Sequence, residues 1–330
     1  MERSRRAAER VEAPAEDALQ FTRPPNELVL LAERFDLPPV ILENWWRHTV
    51  SICRRVALPG ERVAALGPVF SYSHLAAIKH FGMGVDLAPV ATIEAAFEEV
   101  VRGHASLAVV PVENSTDGRV VDTLSTFARF PVTVCGEILL PIHHCLLGKC
   151  RRAEITEVRS KPQALSQCRG WLASHLPTAR VVEVASTAAA AADAARLPGV
   201  AAIASREAGI QHGLDIINEN IEDNPRNITR FVIIGNRQPQ PTGRDKTLII
   251  LRLAHRPGAL ADAMNVFRDA AINMTWIESF PLTDAPSEYL FFIEFEGHRD
   301  EAAVSAALEE LRQHAQRLDV LGSYPQGELE

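Results

Sequence analysis

The sequence contains no uninterrupted apolar run approaching the 18 or so residues that a membrane-spanning helix takes, and no apolar stretch follows the charged start MERSRRAAERVEAPAED. Neither a membrane span nor a secretory leader is expected, which makes the cytoplasm the expected compartment. Cysteine is scarce. Cys53, Cys135, Cys145, Cys150 and Cys168 form an odd, scattered set without CxxC spacing, which argues against a disulfide framework and for reduced thiols. Basic charge is in deficit as well: the net charge is −8, and the basic groupings are short pairs such as Arg151-Arg152 with no aromatics interleaved. Nucleic acid is therefore not an expected partner.

What is present is enough apolar residue, 47% of 330, to bury the cores of two or three domains. Residues 1–58 carry apolar residues at helical spacing in PPNELVLLAERF and PPVILENWWRHTVSICRRVAL, punctuated by proline pairs. Over 62–237 the pattern changes to short β-branched or apolar runs, each followed by a polar cluster and an alanine-rich helical stretch, as in a parallel α/β sheet. NRQPQPTGRD (236–245) reads as a linker. Over 246–324 the expected order is β-α-β-β-α-β.

Within the α/β segment one kind of junction recurs. GPVFSYSH, ENSTDG, KPQALSQ, STAAAA and SREAG each follow a strand-like run, and each is read as placing Ser, Thr or Asn where a strand gives way to a helix. Such residues are ordinary helix caps, yet several converging at the carboxyl ends of strands in an open sheet line a crevice suited to a small anionic ligand. In NIEDNPRNITRFVIIG (220–235), Thr229 and Arg230 stand at the mouth of an apolar strand. A guanidinium can pair a carboxylate bidentately and a hydroxyl can donate a hydrogen bond; pairing of Arg230 with Glu222 or Asp223 on the surface is the competing reading. HHC near Cys150 does not make a metal site, because neighbours on a strand point to opposite faces.

LGPVFSYSHLAA (66–77), VPVENSTDGRVVDTL (110–124), SKPQALSQC (160–168), STAAAAADAA (186–195) and NIEDNPRNITRF (220–231) resemble, in order, the motifs of prephenate dehydratase. The C-terminal segment, with RPGALADAMNVF and INMTWIESFP, is similar to the ACT regulatory domain of that family, and FTRPPNELVLLAERF to the later part of a chorismate mutase domain. The resemblance implies a two-lobed, periplasmic-binding-protein-like α/β catalytic domain holding prephenate, a ferredoxin-like C-terminal domain, and decarboxylative dehydration to phenylpyruvate with neither cofactor nor metal. It also implies the roles. Thr229 lies nearest the departing hydroxyl with Arg230 beside it, and Asn114, Ser115 and Thr116 are catalytic. Ser73, Glu113, Gln163, Ser186, Thr187, Asn227 and Phe231 belong with the substrate. A homodimer or homotetramer binding L-phenylalanine is implied too, using Gly258, Ala259, Leu260, Asn273, Glu278 and Ser279.

The chain also departs from the family pattern. Phe70 stands where the first motif usually has glycine, so a positive φ there becomes costly. Lys161 stands where the family often has histidine, and is expected to face water; His74 is expected to pack rather than act as a base. Phe280 replaces an arginine in the effector strand, leaving Trp276, Glu278 and Phe280 on one face. About twenty residues precede Phe21, too few for the mutase's long first helix, and Asn26 replaces an arginine, so mutase activity is not expected of 1–58. A fused mutase-dehydratase and a non-catalytic sensor of aromatic metabolites are the alternative readings.

Overall fold

The computed structural model describes residues 24–57, 61–282 and 288–329. The reading of 1–58 as a helical segment therefore falls partly outside the described residues. What is described of it is a helical pair, α1 (Asn26–Arg34) and α2 (Pro39–Ala57). It meets the next unit where Gly84 donates its backbone N–H to Ser51 Oγ at 2.8 Å. Leu30, Leu31, Phe35, Ile41, Trp45 and Ile52 remain exposed.

Two sheets form two lobes. The first runs β2 (Asp86–Val90), β1 (Arg62–Leu66), β3 (Leu107–Asn114), β11 (Ile228–Gly235), β5 (Thr133–Pro141), with the short β4 (Gly118–Arg119) paired to β3. The second runs β10 (Asp215–Asn218), β6 (Cys145–Gly148), β9 (Val200–Ala204), β7 (Glu157–Ser160), β8 (Arg180–Glu183). The whole second lobe is inserted between β5 and β11. On its return the chain enters the first lobe as β11, antiparallel to both β3 and β5, so the first strand turn after the crossing carries Thr229 and Arg230. VAAIA is small and apolar throughout, and RVAAL is so after its exposed Arg62, because both faces of these strands are covered. The covering helices are α3 (Tyr72–Phe81), α4 (Ile93–Val101) and α5 (Val121–Phe127) on the first lobe; α6 (Pro162–Gln167), α7 (Arg169–His175), α8 (Thr187–Ala194) and α9 (Arg206–Gln211) belong to the second.

The third sheet, β13 (Met274–Pro281), β14 (Tyr289–Glu296), β12 (Asp245–Leu253), β15 (Ala315–Pro325), carries α10 (Ala259–Asp269) and α11 (Ala302–His314). Its chain order is the expected β-α-β-β-α-β. Strand alternation sorts β12 into two cores. Ile249 and Leu251 pack under α10 and α11 with Phe267 and Leu311. Leu248 and Ile250 face the other way, into one continuous core with Val110, Leu124, Phe127 and Val134 of the first lobe. At this shared core Gly322 passes so close to β5 that a Cβ on it would lie 2.1 Å from the Val134 carbonyl oxygen.

Candidate active site

The pairing of β3 with β11 places Asn114 directly across from Thr229. Asn114 Nδ2 donates to Thr229 Oγ1 at 2.8 Å and to Asn227 Oδ1 at 2.9 Å. Its own Oδ1 accepts the backbone N–H groups of Thr116 and Asp117 at 3.0 and 3.1 Å. ENSTDG is thus a turn between β3 and β4 closed by the Asn114 side chain, and not the strand-to-helix junction expected. The hydrogen-bonding capacity of Asn114 is fully used, one bond of the four going to Thr229 and the others holding the amide that makes it. Because Thr229 accepts from an amide, its own O–H proton is directed elsewhere, and its side chain is only half-buried.

The second lobe closes onto this pair. Asn227 Nδ2 donates to Gln167 Oε1 at 3.0 Å, and Gln167 Nε2 donates to Asp117 Oδ2 at 2.6 Å. Gln163 Nε2 donates to the same Asp117 oxygen, and Thr116 Oγ1 lies 3.2 Å from Asn227 Oδ1. His144 Nε2 lies 2.8 Å from Gln167 Oε1. Since that oxygen can only accept, Nε2 carries the proton. Burial lowers the His144 pKa, in keeping with a neutral ring. His143, its neighbour, points the other way and pairs with Glu222 at 2.8 Å. The two histidines do not converge on a common point.

Lys161, expected to face water, is half-buried at the start of α6. Burial lowers its pKa while Asp117 acts in the opposite sense, so its ammonium shares a field with the Gln163–Gln167–Asp117 group. His74 packs as expected. It is buried, its pKa is lowered by burial, and its Nδ1 accepts the Phe70 backbone N–H at 3.3 Å. Phe70 has φ +61°, the left-handed conformation in which glycine costs least. Its ring packs against the second lobe's core of Ala190, Ala191 and Leu147, so the loop spans the cleft. Two residues on, the Tyr72 hydroxyl donates to the His143 carbonyl at 2.7 Å.

Several expected residues are placed elsewhere. Arg230 does not sit with Thr229: adjacent strand residues face opposite ways. Its guanidinium is buried against the third sheet, with Nη1 2.5 Å from Glu294 Oε2 and 3.3 Å from Glu137 Oε1, and Nε 3.3 Å from Glu113 Oε2. The Trp276 ring lies 4.9 Å from it. This also takes Glu113 out of the cleft, and it displaces the surface reading, because Asp223 caps Gly170 and Trp171 and Glu222 holds His143. Phe231 follows a register shift after Arg230 and is fully buried in the first lobe's core. Ser73 and Thr187 are buried near the starts of their helices, and Ser186 spends its hydroxyl oxygen capping α8 through Ala189. None of these three joins the hydrogen-bonded group around Thr229.

Burial alone would raise the pKa of Glu294. Arg230 and Lys246 outweigh it and hold the carboxyl below its ordinary value, helped by Thr275 and Tyr324. Lys246 Nζ lies 3.1 Å from Glu137 and 3.3 Å from Glu294, so two cations face two buried carboxylates. A charge group of this kind is costly to break, because removal of one member leaves the other buried and unpaired.

In the C-terminal unit, Gly258 precedes α10 with φ +82°. A small cavity of about 130 Å³ opens beside it, lined among others by His255, Arg256, Ala259, Leu260, Glu288 and Tyr289. Asn273, Glu278 and Ser279 do not line it. Trp276, Glu278 and Phe280 do share a face, but that face looks inward: Phe280 packs into the shared core and Glu278 pairs with Arg119 at 2.7 Å. Ile277 and Ser279 form the exposed face of β13.

A family model of prephenate dehydratase matches residues 63–239. A protein of Pseudomonas aeruginosa called bifunctional chorismate mutase/prephenate dehydratase is 41% identical over 320 residues, 95% of this chain and 87% of its own. Among solved structures, a prephenate dehydratase of Arthrobacter aurescens in complex with L-Phe is 31% identical with a TM-score of 0.75, over 80% of this chain and 90% of that one. A quorum-quenching acylase, GqqA, is also 31% identical with a TM-score of 0.74, over 80% and 98%.

Proposed function

The chain belongs to the prephenate dehydratase family, and from that premise we propose that Thr229 is the hydrogen-bond donor to the hydroxyl that leaves prephenate. The observation that carries this reading is the Asn114–Thr229 bond, which fixes the threonine oxygen and frees its proton. As the ring carboxylate departs as CO2, its bonding electrons move into the ring and expel hydroxide at the opposite carbon. Charge therefore grows on the leaving oxygen. A fixed donor aimed at that oxygen lowers the barrier without first reorganising, whereas a threonine hydroxyl is too weak an acid to act by proton transfer alone. Asn227 and Thr116 complete the support from the first lobe, and Gln163 and Gln167 that from the second. Lys161 supplies the cation for a substrate carboxylate in place of Arg230.

An acyl-transfer reading, suggested by the second structural relative, would need a hydroxyl beside a general base. The aliphatic hydroxyls around Thr229 are bonded to amides and carbonyls instead: Thr229 to Asn114, Thr116 to Asn227, Ser115 to the Arg226 carbonyl; the hydroxyl that does lie by an imidazole, that of Tyr72 2.9 Å from His144 Nδ1, is a phenol that donates to the His143 carbonyl.

L-phenylalanine is the proposed feedback effector, bound at the C-terminal unit, which we read as an ACT domain. The cavity beside Gly258 supports this: Leu260, Tyr289 and Phe291 offer contact to a ring, and its lining includes Glu288 and Arg256, which pair with Arg252 and Asp262 at 2.6 and 2.7 Å. Assembly into a homodimer or homotetramer is supported by the exposed Met274, Ile277 and Tyr289 of the third sheet and by the apolar residues of α1 and α2. Cytoplasmic placement is supported by the five free thiols. Several relatives carry a fused mutase in their names; the proposal for 26–57 remains packing or assembly, and disappearance of chorismate at a rate comparable to prephenate turnover would overturn it.

The dehydratase roles are tested by following phenylpyruvate absorbance. Thr229→Ala is expected to lower kcat by about 10² or more with little change in KM, the pattern for an interaction made in the transition state, and Thr229→Ser to retain most activity. An unchanged kcat in folded Thr229→Ala refutes the assignment.

A further inference from the structure

Both halves of the Asn114–Thr229 pair are tied to one strand of the C-terminal unit. Thr229 is followed by Arg230, which is held by Glu294 on β14 and lies over Trp276 on β13. Asn114 begins the turn that ends in Arg119, and Arg119 pairs with Glu278 on β13 at 2.7 Å. Immediately after Arg230 the register of β11 against β3 shifts, and an irregularity of this kind lets a strand bend locally. The opposite face of β13, with Ile277 and Ser279, is exposed. A load applied to that face therefore reaches both members of the pair through side chains that never enter the cleft.

We propose that Arg230 is a positioning residue that, together with Arg119, couples the C-terminal sheet to Thr229, and that it is not a contact of the substrate. The physical reasons are three. Its side chain lies on the face of β11 away from Thr229. Its guanidinium is already occupied by the carboxylates of Glu294, Glu137 and Glu113. And while Glu137 and Glu113 hold it from the first lobe, Glu294 and Trp276 hold it from the unit to which the effector is assigned, so movement there reaches, through one ion pair and one ring contact, the residue bonded next to Thr229. Coupling of this sort requires an element with alternative arrangements that both sites bias; that part is assigned to the segment at Arg230 and the β3–β4 turn, which pair with each other across β3 and β11 and are both held from the C-terminal sheet through Glu278, Glu294 and Trp276.

The regulatory half of this inference rests on the reading of L-phenylalanine as effector, and the experiment separates the two. Prephenate kinetics are measured for Arg230→Lys, Arg230→Met and the double variant Trp276→Leu with Glu278→Ala, with L-phenylalanine binding followed by calorimetry in parallel. Arg230→Lys is expected to lower kcat several-fold with KM within about twofold, and Arg230→Met to be worse. The double variant, which touches nothing in the cleft, is expected to shift kcat in the same way. It should bind L-phenylalanine as the parent does while the factor by which L-phenylalanine weakens prephenate binding falls by about fivefold, the low end of ordinary couplings. A raised KM with preserved kcat in Arg230→Lys identifies a substrate clamp and overturns the proposal. So does a double variant with parental kinetics. If the parent shows no heat with L-phenylalanine, the effector reading fails, and the kcat and KM pattern still decides the role of Arg230.

Discussion

Substituting Gly322 by alanine tests the joint between the catalytic lobes and the C-terminal sheet. The new methyl would sit 2.1 Å from the Val134 carbonyl oxygen and 2.9 Å from the Val134 nitrogen. Ordinary contact begins near 3.4 Å, so the strands must part by about 1.3 Å, the difference between 3.4 and 2.1 Å. No side chain can yield, because the obstacle is backbone in β5, whose Val134 pairs with Ile234 of β11. Gaps of about 0.5–1 Å already forfeit a quarter to a half of the dispersion energy of the atoms that separate, and overpacking typically costs about 1–3 kcal/mol. With backbone on one side and the shared core of Leu321, Tyr324 and Leu248 on the other, the upper end applies. At roughly 2.1 cal/mol/K per residue, about 3 kcal/mol lowers Tm by about 4 °C. Scanning calorimetry reads the shift, and phenylpyruvate formation reads its consequence, a reduced kcat, since Arg230 and its carboxylate partners straddle the same joint. A Tm within about 1 °C of the parent together with an unchanged kcat refutes the reasoning.

Three further outcomes follow from the structure. Phe70→Gly relieves a left-handed residue, worth about 1 kcal/mol. It also loses half-buried aromatic surface worth about 1.5 kcal/mol and adds about 0.5–1 kcal/mol of unfolded-state freedom; Tm should fall slightly, and a rise would show that strain dominates. Because Glu294 is held below its ordinary pKa, its contribution is present above the unfolded value of about 4.3 and is lost as pH falls through the folded value. Glu294→Gln should therefore flatten the loss of Tm on acidification below the unfolded value, and identical profiles would contradict this. Burial pushes Cys135 to about 12 and Cys145 to about 11, and raises Cys168, so a thiol reagent at pH 8 should label exposed Cys53 first; rapid labelling of Cys135 would count against the buried placement.

Much of the site is legible in the sequence, and what is not has identifiable causes. ENST and NITRF announce Asn114, Thr116, Asn227 and Thr229 through the resemblance to the family's motifs, since polar residues at the end of an apolar strand would by themselves pass for ordinary caps. Their convergence is an effect of β11 returning antiparallel after the second lobe, which no local pattern reveals. Arg230 is a different case. Strand alternation alone parts Thr229 from Arg230, so the signal is in the sequence, whereas His143 and His144, expected on a strand, lie in the connection between β5 and β6 and are parted by their separate partners Glu222 and Gln167. Alternation likewise groups Trp276, Glu278 and Phe280 correctly. It does not say that the group faces the catalytic lobes, since apolar and charged residues suit either face of a joint between units. Lys161 reads as a surface residue because lysine usually is one; its half-buried place depends on Asp117 arriving from the other lobe.

Leu248, Ile250, Phe292 and Tyr324 share one core with Val110, Leu124, Phe127 and Val134, and this bears on how such a chain can be re-engineered or can diverge. A C-terminal unit joined by a linker alone could be exchanged as a cassette or deleted to give an unregulated enzyme. Here deletion after residue 240 would strip an apolar wall from the catalytic lobes and leave Arg230 and Glu137 without Glu294 and Lys246. Release from inhibition is accordingly expected through substitutions on the outer face of β13 or around Gly258, and not through truncation.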